Sequence, residues 1–220
     1  ERFKSHLQQM IDEMNKDESE EYHKNLLSTF LNDTWYKGQY FINTRERTDL
    51  VIHNNKTSES APAVLIETKN PGNSSEMPSK DNLNAKAIHE LIRYYLHERT
   101  DKGNISVKHL VVTNLNEFFI FNENDFDKYI YRDKQIRDAY ENYKNSGKDT
   151  TFFYQSIASP LLDKIQDKFT FTCFEIKSLK KYLKTSDPEK DKALIPYYKL
   201  LSPPHLMKQP FANDSNTLDR

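Results

Sequence analysis

Apolar positions along the chain fall into runs whose spacing separates helices from strands. In residues 1–16, Phe3, Leu7, Met10, Ile11 and Met14 recur at helical intervals. Asp17, Glu18 and Ser19 read as the cap of a second helix over about residues 18–33. Leu27, Phe30 and Leu31 form its apolar face, and Glu20 falls on that same face. Gly38 leads to a strand at 40–44, followed by a charged turn at Arg45, Glu46 and Arg47. Two denser runs come next: Leu50, Val51 and Ile52, opened by Asp49, and Ala63, Val64, Leu65 and Ile66, closed by Glu67, Thr68 and Lys69. Pro71-Gly72 stops the second run, and the polar stretch 53–62 between the two suits a surface hairpin loop that includes His53.

The next pattern is the clearest helix. Leu83, Ala87, Ile88, Leu91, Ile92, Tyr95 and Leu96 form one stripe over about residues 82–99, while Asn84, Lys86 and Glu90 stay polar. Residues 107–113 and 117–122 read as paired strands turned at Asn114-Leu115-Asn116, completing a mixed sheet. A helical pattern follows over 125–143, and another helix begins near Phe152. A second Glu-x-Lys, Glu175-Ile176-Lys177, lacks a partner strand with its own acid and reads as structural. Lys177, Lys180, Lys181 and Lys184 form a basic stripe that suits solvent, with DNA-backbone contact as the other reading, residues 185–192 have linker composition, and the proline-rich remainder predicts little regular structure.

A chain of 220 residues, 36% hydrophobic and 12% aromatic, is long enough for one large domain or a core with an appendage. Its charges nearly cancel, at a net −1, so any grip on nucleic acid must come from local groups. No apolar run reaches membrane-spanning length, and the start at Glu1 shows no signal-peptide core. The single cysteine, Cys173, sits in an apolar run, which fits a buried thiol in a reducing, cytoplasmic setting.

The chemistry concentrates at the two dense strands. Side chains two apart share a strand face, so Glu67 and Lys69 reach one edge together, and Asp49 on a neighbouring strand can join them. Two carboxylates and an ammonium suit a hard divalent cation that holds a scissile phosphate while the lysine orients or deprotonates the attacking water. No phosphate-cradling Gly-x-x-x-x-Gly-Lys, methyltransferase tetrapeptide or Gly-x-Ser-x-Gly elbow offers a competing chemistry.

Asp49 followed by Glu67-Thr68-Lys69, each on an apolar strand, resembles the PD-(D/E)xK nuclease superfamily. The order of helix, three strands, helix and strand over about residues 18–121 looks like that family's restriction-endonuclease-like αβββαβ core. This α/β core, with a mixed sheet, would carry a helical C-terminal appendage. The tail around Ile195-Pro196-Tyr197-Tyr198 and Phe211-Ala212-Asn213-Asp214 looks like the segment joining nuclease to methyltransferase in type IIG restriction-modification enzymes.

The resemblance implies a Mg2+-dependent DNA endonuclease, with Mn2+ as a substitute. Asp49 and Glu67 would hold the metal, Thr68 would assist through its carbonyl, and Lys69 would serve the water. It implies a further acid from the first core helix, which fits Glu20, or Glu21 on a rotated helix. It also implies a polar phosphate contact from the helix after the site strand, which fits Lys86; ordinary helix surface is the alternative. Arg45 and Arg47 are DNA-phosphate candidates, with a solvated turn as the other reading. The corresponding division is an N-terminal helix at 1–17 packing on the core, a nuclease core at 18–123, an appendage at 124–184 and a connector at 185–220. The partners would be double-stranded DNA and downstream methyltransferase and target-recognition regions of the same polypeptide, with S-adenosylmethionine serving only that downstream part. An inactive nuclease-fold module that binds DNA or a subunit stays open beside this reading.

Overall fold

The computed structural model describes residues 1–45, 48–183 and 187–208. Among them, six strands form one mixed sheet in sequence order: β1 (Ile42–Arg45), β2 (Thr48–His53), β3 (Pro62–Thr68), β4 (His109–Thr113), β5 (Glu117–Asn122) and β6 (Phe171–Glu175). Neighbours pair antiparallel except β3 and β4, which run parallel. A parallel pair needs a long crossover, and residues 69–108 supply it with a helix. The protein is therefore α/β, with helices on both faces of the sheet.

Helices α1 (Arg2–Glu13) and α2 (Glu20–Leu31) cover one face, where Phe3, Leu7, Leu27 and Phe30 pack against Val64 and Ile66. Helix α3 (Lys86–Leu96) covers the other, where Leu91 and Ile92 pack with Leu65, Leu110 and Val112. Each fully buried aliphatic side chain of that kind contributes on the order of 2 kcal/mol. Since β3 is central and covered twice, all of its residues are buried, which explains an unbroken apolar run where a one-sided strand would alternate. The turn into β5 puts Leu115 at φ 65°, a left-handed conformation unusual for leucine, and the Thr113 hydroxyl accepts its N–H at 2.9 Å.

Beyond β5 the chain forms α4 (Glu123–Phe126), α5 (Lys134–Asn145), α6 (Thr150–Phe153) and α7 (Ser159–Ile165), with wide π turns after α4 and α6, then returns to the sheet as β6. Phe118 and Phe174 stack across β5 and β6 with centroids 5.0 Å apart. Where one helix is expected over 125–143 there are two segments, because Asp133 accepts the Gln135 N–H and starts α5 afresh. The crossover helix begins at Lys86, later than its apolar stripe suggests, with residues 79–84 held in side-chain-capped turns.

Past a short helix α8 (Lys180–Leu183), residues 185 and 186 of the expected linker lie outside the described residues, and in the rest of it Asp187 caps a short helix α9 (Pro188–Lys192). The expectation of little regular structure after Ala193 fails: α10 (Ile195–Leu200) and α11 (Pro203–Leu206) form and bury Leu200, Leu201 and Leu206. Their prolines occupy the first helical turn, where a missing N–H costs nothing. The buried Tyr36 hydroxyl donates to the Leu201 carbonyl at 2.8 Å and ties this segment to the core. His53, read as loop, is instead the last residue of β2 and fully buried, with Nδ1 donating to the Ser60 carbonyl at 2.5 Å.

Candidate functional site

The β2–β3 register pairs Leu50 with Ile66, so one further step sets Asp49 opposite Glu67 at the end of both strands. The Thr68 N–H donates to Asp49 Oδ2 at 2.9 Å and fixes that carboxylate at the edge. Lys69 continues the strand direction, its N–H donating to the Thr113 carbonyl at 2.8 Å, and its side chain falls on the same face as Glu67. Lys69 is 2% exposed and Glu67 1%, and the ammonium lies 2.5 Å from Glu67 Oε1. It lies equally close to Glu90 Oε2 on α3 and 3.7 Å from Glu76 Oε2.

A second lysine enters from α2. Lys24 Nζ sits 3.0 Å from Asp49 Oδ1 and 2.8 Å from Glu21. The loop after β3 draws this helix in, because the Asn70 amide donates to the Glu18 carbonyl at 2.7 Å. Gly72 fits that approach closely: a Cβ there would lie 3.1 Å from Asn70 Oδ1. Glu20 is thereby brought within electrostatic reach of Lys69, Asp49 and Glu90, whereas Glu21 spends its charge on Lys24. Of the two acids left open by sequence, Glu20 meets the cluster through the charges of Lys69, Asp49 and Glu90, and Glu21 through Lys24.

Six carboxyls (Glu20, Glu21, Asp49, Glu67, Glu76 and Glu90) here face three ammonium groups (Lys24, Lys69 and Lys86). The excess shows in the protonation of the group. Burial, then the nearby Asp49 carboxylate, pushes Glu67 well above the ordinary carboxyl range. Burial also raises Glu20. Glu90 is partly buried, which would raise it, yet a hydrogen bond with Glu67 and the Lys69 charge hold it below the ordinary value. Burial thus disfavours the charged form of Glu67, whereas hydrogen bonding and the Lys69 charge favour the charged form of Glu90. Burial opposes the Lys69 charge, but Glu67 and Glu90 outweigh it and raise the ammonium.

The remaining expected residues lie differently. Lys86, at the start of α3, is paired with Glu76 at 2.9 Å and half exposed. Arg45 ends β1 opposite Thr48, and its charge adds to burial in lowering His53 at the far end of β2. Arg47 lies outside the described residues. Glu90, Glu76 and Lys24 are site residues that sequence reasoning missed. Lys24 was legible in principle, four residues after Glu20 and so on the same helical face. Glu90 follows Lys86 by the same step, but its pairing with Lys69 depends on how α3 crosses the sheet.

One protein-family profile, a domain of unknown function (DUF7149), matches residues 1–214 of the 220. The chain belongs to the DUF7149 family. No curated protein and no solved structure matches it. Among the described residues of this DUF7149 chain, no three Asp, Glu, His or Cys side chains are arranged to hold a metal as they stand, since ammonium groups lie between the acids. The donor set nevertheless fits a hard cation. It is all oxygen, it is locally acidic, and a buried carboxyl oxygen without a donor, such as Glu67 Oε2, is satisfied either by a proton or by a cation. No helix among the described residues of DUF7149 is long and apolar enough to cross a membrane.

Proposed function

We propose that this DUF7149 chain is a Mg2+-dependent DNA endonuclease domain with a PD-(D/E)xK-type, restriction-endonuclease-like core. The observation that carries the reading is Asp49 fixed against Glu67 across paired strands, with Lys69 on the same face between Glu67 and Glu90. The order α2, β1, β2, β3, α3, β4, with β4 parallel to β3, supports it as the order of that core. Asp49 and Glu67 would hold the ion, with the Thr68 carbonyl as a third oxygen and Glu20 neighbouring it. When bound, Mg2+ supplies Lewis-acid polarisation of the phosphate and its attacking water. Thr68 keeps Asp49 oriented through its N–H. Lys69, held cationic, is unsuited to act as a general base at neutral pH and serves by orienting water and offsetting charge that grows on the phosphate.

In a type IIG restriction-modification arrangement, further residues of the same polypeptide would supply methylation and target recognition. The test is plasmid nicking with Mg2+ or Mn2+ by wild type, Asp49→Ala and Lys69→Ala, each shown folded by circular dichroism. Nicking by wild type that both variants lose is the expected result, and equal nicking by all three overturns the assignment. A second reading, an inactive module for DNA or subunit binding, draws on the way Lys24 and Lys69 already occupy the acids. Calorimetric Mg2+ titration separates the two, because an inactive module gives no binding heat that depends on Asp49.

A further inference from the structure

We propose that the groove beside the acid–lysine cluster, between α3 and residues 150–159, seats one unpaired nucleobase of the substrate strand; the inference rests on the nuclease reading above. The groove has a volume of about 640 Å3, within the range of small-molecule sites. Lys86, His89 and Glu90 of α3 form one wall, and Thr151, Tyr154 and Gln155 contribute to the other. It adjoins the site, since the Glu90 carboxyl that lines it also holds Lys69 at 2.5 Å. A strand whose phosphate lay at Lys69 would place the adjoining nucleotide here.

Charge decides which part of that nucleotide fits. The lining offers one carboxylate and one ammonium, and the ammonium is already paired with Glu76. A phosphate seat calls for an excess of positive charge, so the occupant of this groove is an uncharged group. The rest of the wall matches a base. The His89 and Tyr154 rings lie 6.0 Å apart and 34° from parallel, which offers π surface for stacking. Gln155 is exposed and carries a donor and an acceptor in one plane, as a base edge requires, with the Thr151 hydroxyl nearby in the lining. Inside a duplex that edge is paired and the face stacked, so the base that enters is unpaired or extruded.

The experiment uses the full chain in EDTA, where binding is read without cleavage. The probe is a DNA duplex with a one-nucleotide bulge containing 2-aminopurine, and the control is the same duplex with an abasic bulge. Quenching of the 2-aminopurine on binding is expected. By anisotropy, the abasic duplex should bind about tenfold more weakly, and Tyr154→Leu and Gln155→Ala should weaken the base-containing probe to a similar extent. Equal affinity for the two probes, or no effect of either variant, overturns the proposal; Gln155 is exposed, so its replacement spares the fold. Base-dependent binding in a protein that never nicks plasmid would keep the groove and sink the nuclease reading. Nicking with base-independent binding would do the reverse.

Discussion

Replacing Glu67 by glutamine tests the protonation of the buried cluster directly. Glu67 is 1% exposed, and burial followed by Asp49 raises its carboxyl well above the ordinary value near 4.5. In the unfolded chain that carboxyl loses its proton near the ordinary value, whereas in the folded chain it keeps it, so the native state binds more protons over the window above about pH 4.5. Stability must then fall as pH rises through that window, by up to about 1.4 kcal/mol per pH unit for one proton. Between pH 5 and 7 this amounts to at most on the order of 3 kcal/mol. Glutamine copies the neutral carboxyl: its amide can donate to Glu90 and its carbonyl can accept from Lys69. Glu67→Gln should therefore flatten the profile and match or exceed wild type at pH 7. Urea unfolding in EDTA across pH 5 to 8 measures it. Parallel profiles, or a variant weaker by about 3–5 kcal/mol at pH 7 as expected for breaking a buried ion pair, would show that Glu67 is ionised against Lys69 and refute the argument.

Two further outcomes concern the C-terminal segment. Burial lowers His109 to about 4, against a hydrogen bond to the Leu206 carbonyl that favours its charge, and His205 and Lys108 oppose protonation further. The unfolded chain takes up that proton first, so folding should lose about 3 kcal/mol as pH drops from 6.5 to 4, and His109→Gln should show a shallower acid limb in urea unfolding. Tyr36→Phe deletes the buried hydrogen bond to the Leu201 carbonyl and should cost about 1–2 kcal/mol, with amide exchange rising across residues 195–206 and little changed in β3.

Sequence alone determined the parts governed by local periodicity. The apolar run of β3, the stripe of α3 and the face of α2 are set by which residues must leave water, and a strand's two-residue repeat places Glu67 and Lys69 together without further information. The strand carrying Asp49 was legible for the same reason. What pairs with those groups was not. Lys69 meets Glu90 because α3 crosses the sheet at one angle, and Asp49 meets Lys24 because the Asn70 amide pulls α2 towards the end of β3. The breaks at Asp133 and the helices after Ala193 escaped for a related reason, since a cap or a first-turn proline looks like a loop until the packing around it is known. Protonation came last of all. Six acids scattered over the sequence carry ordinary carboxyls, and only tertiary burial beside one another pushes one of them well above the ordinary range and holds another below it.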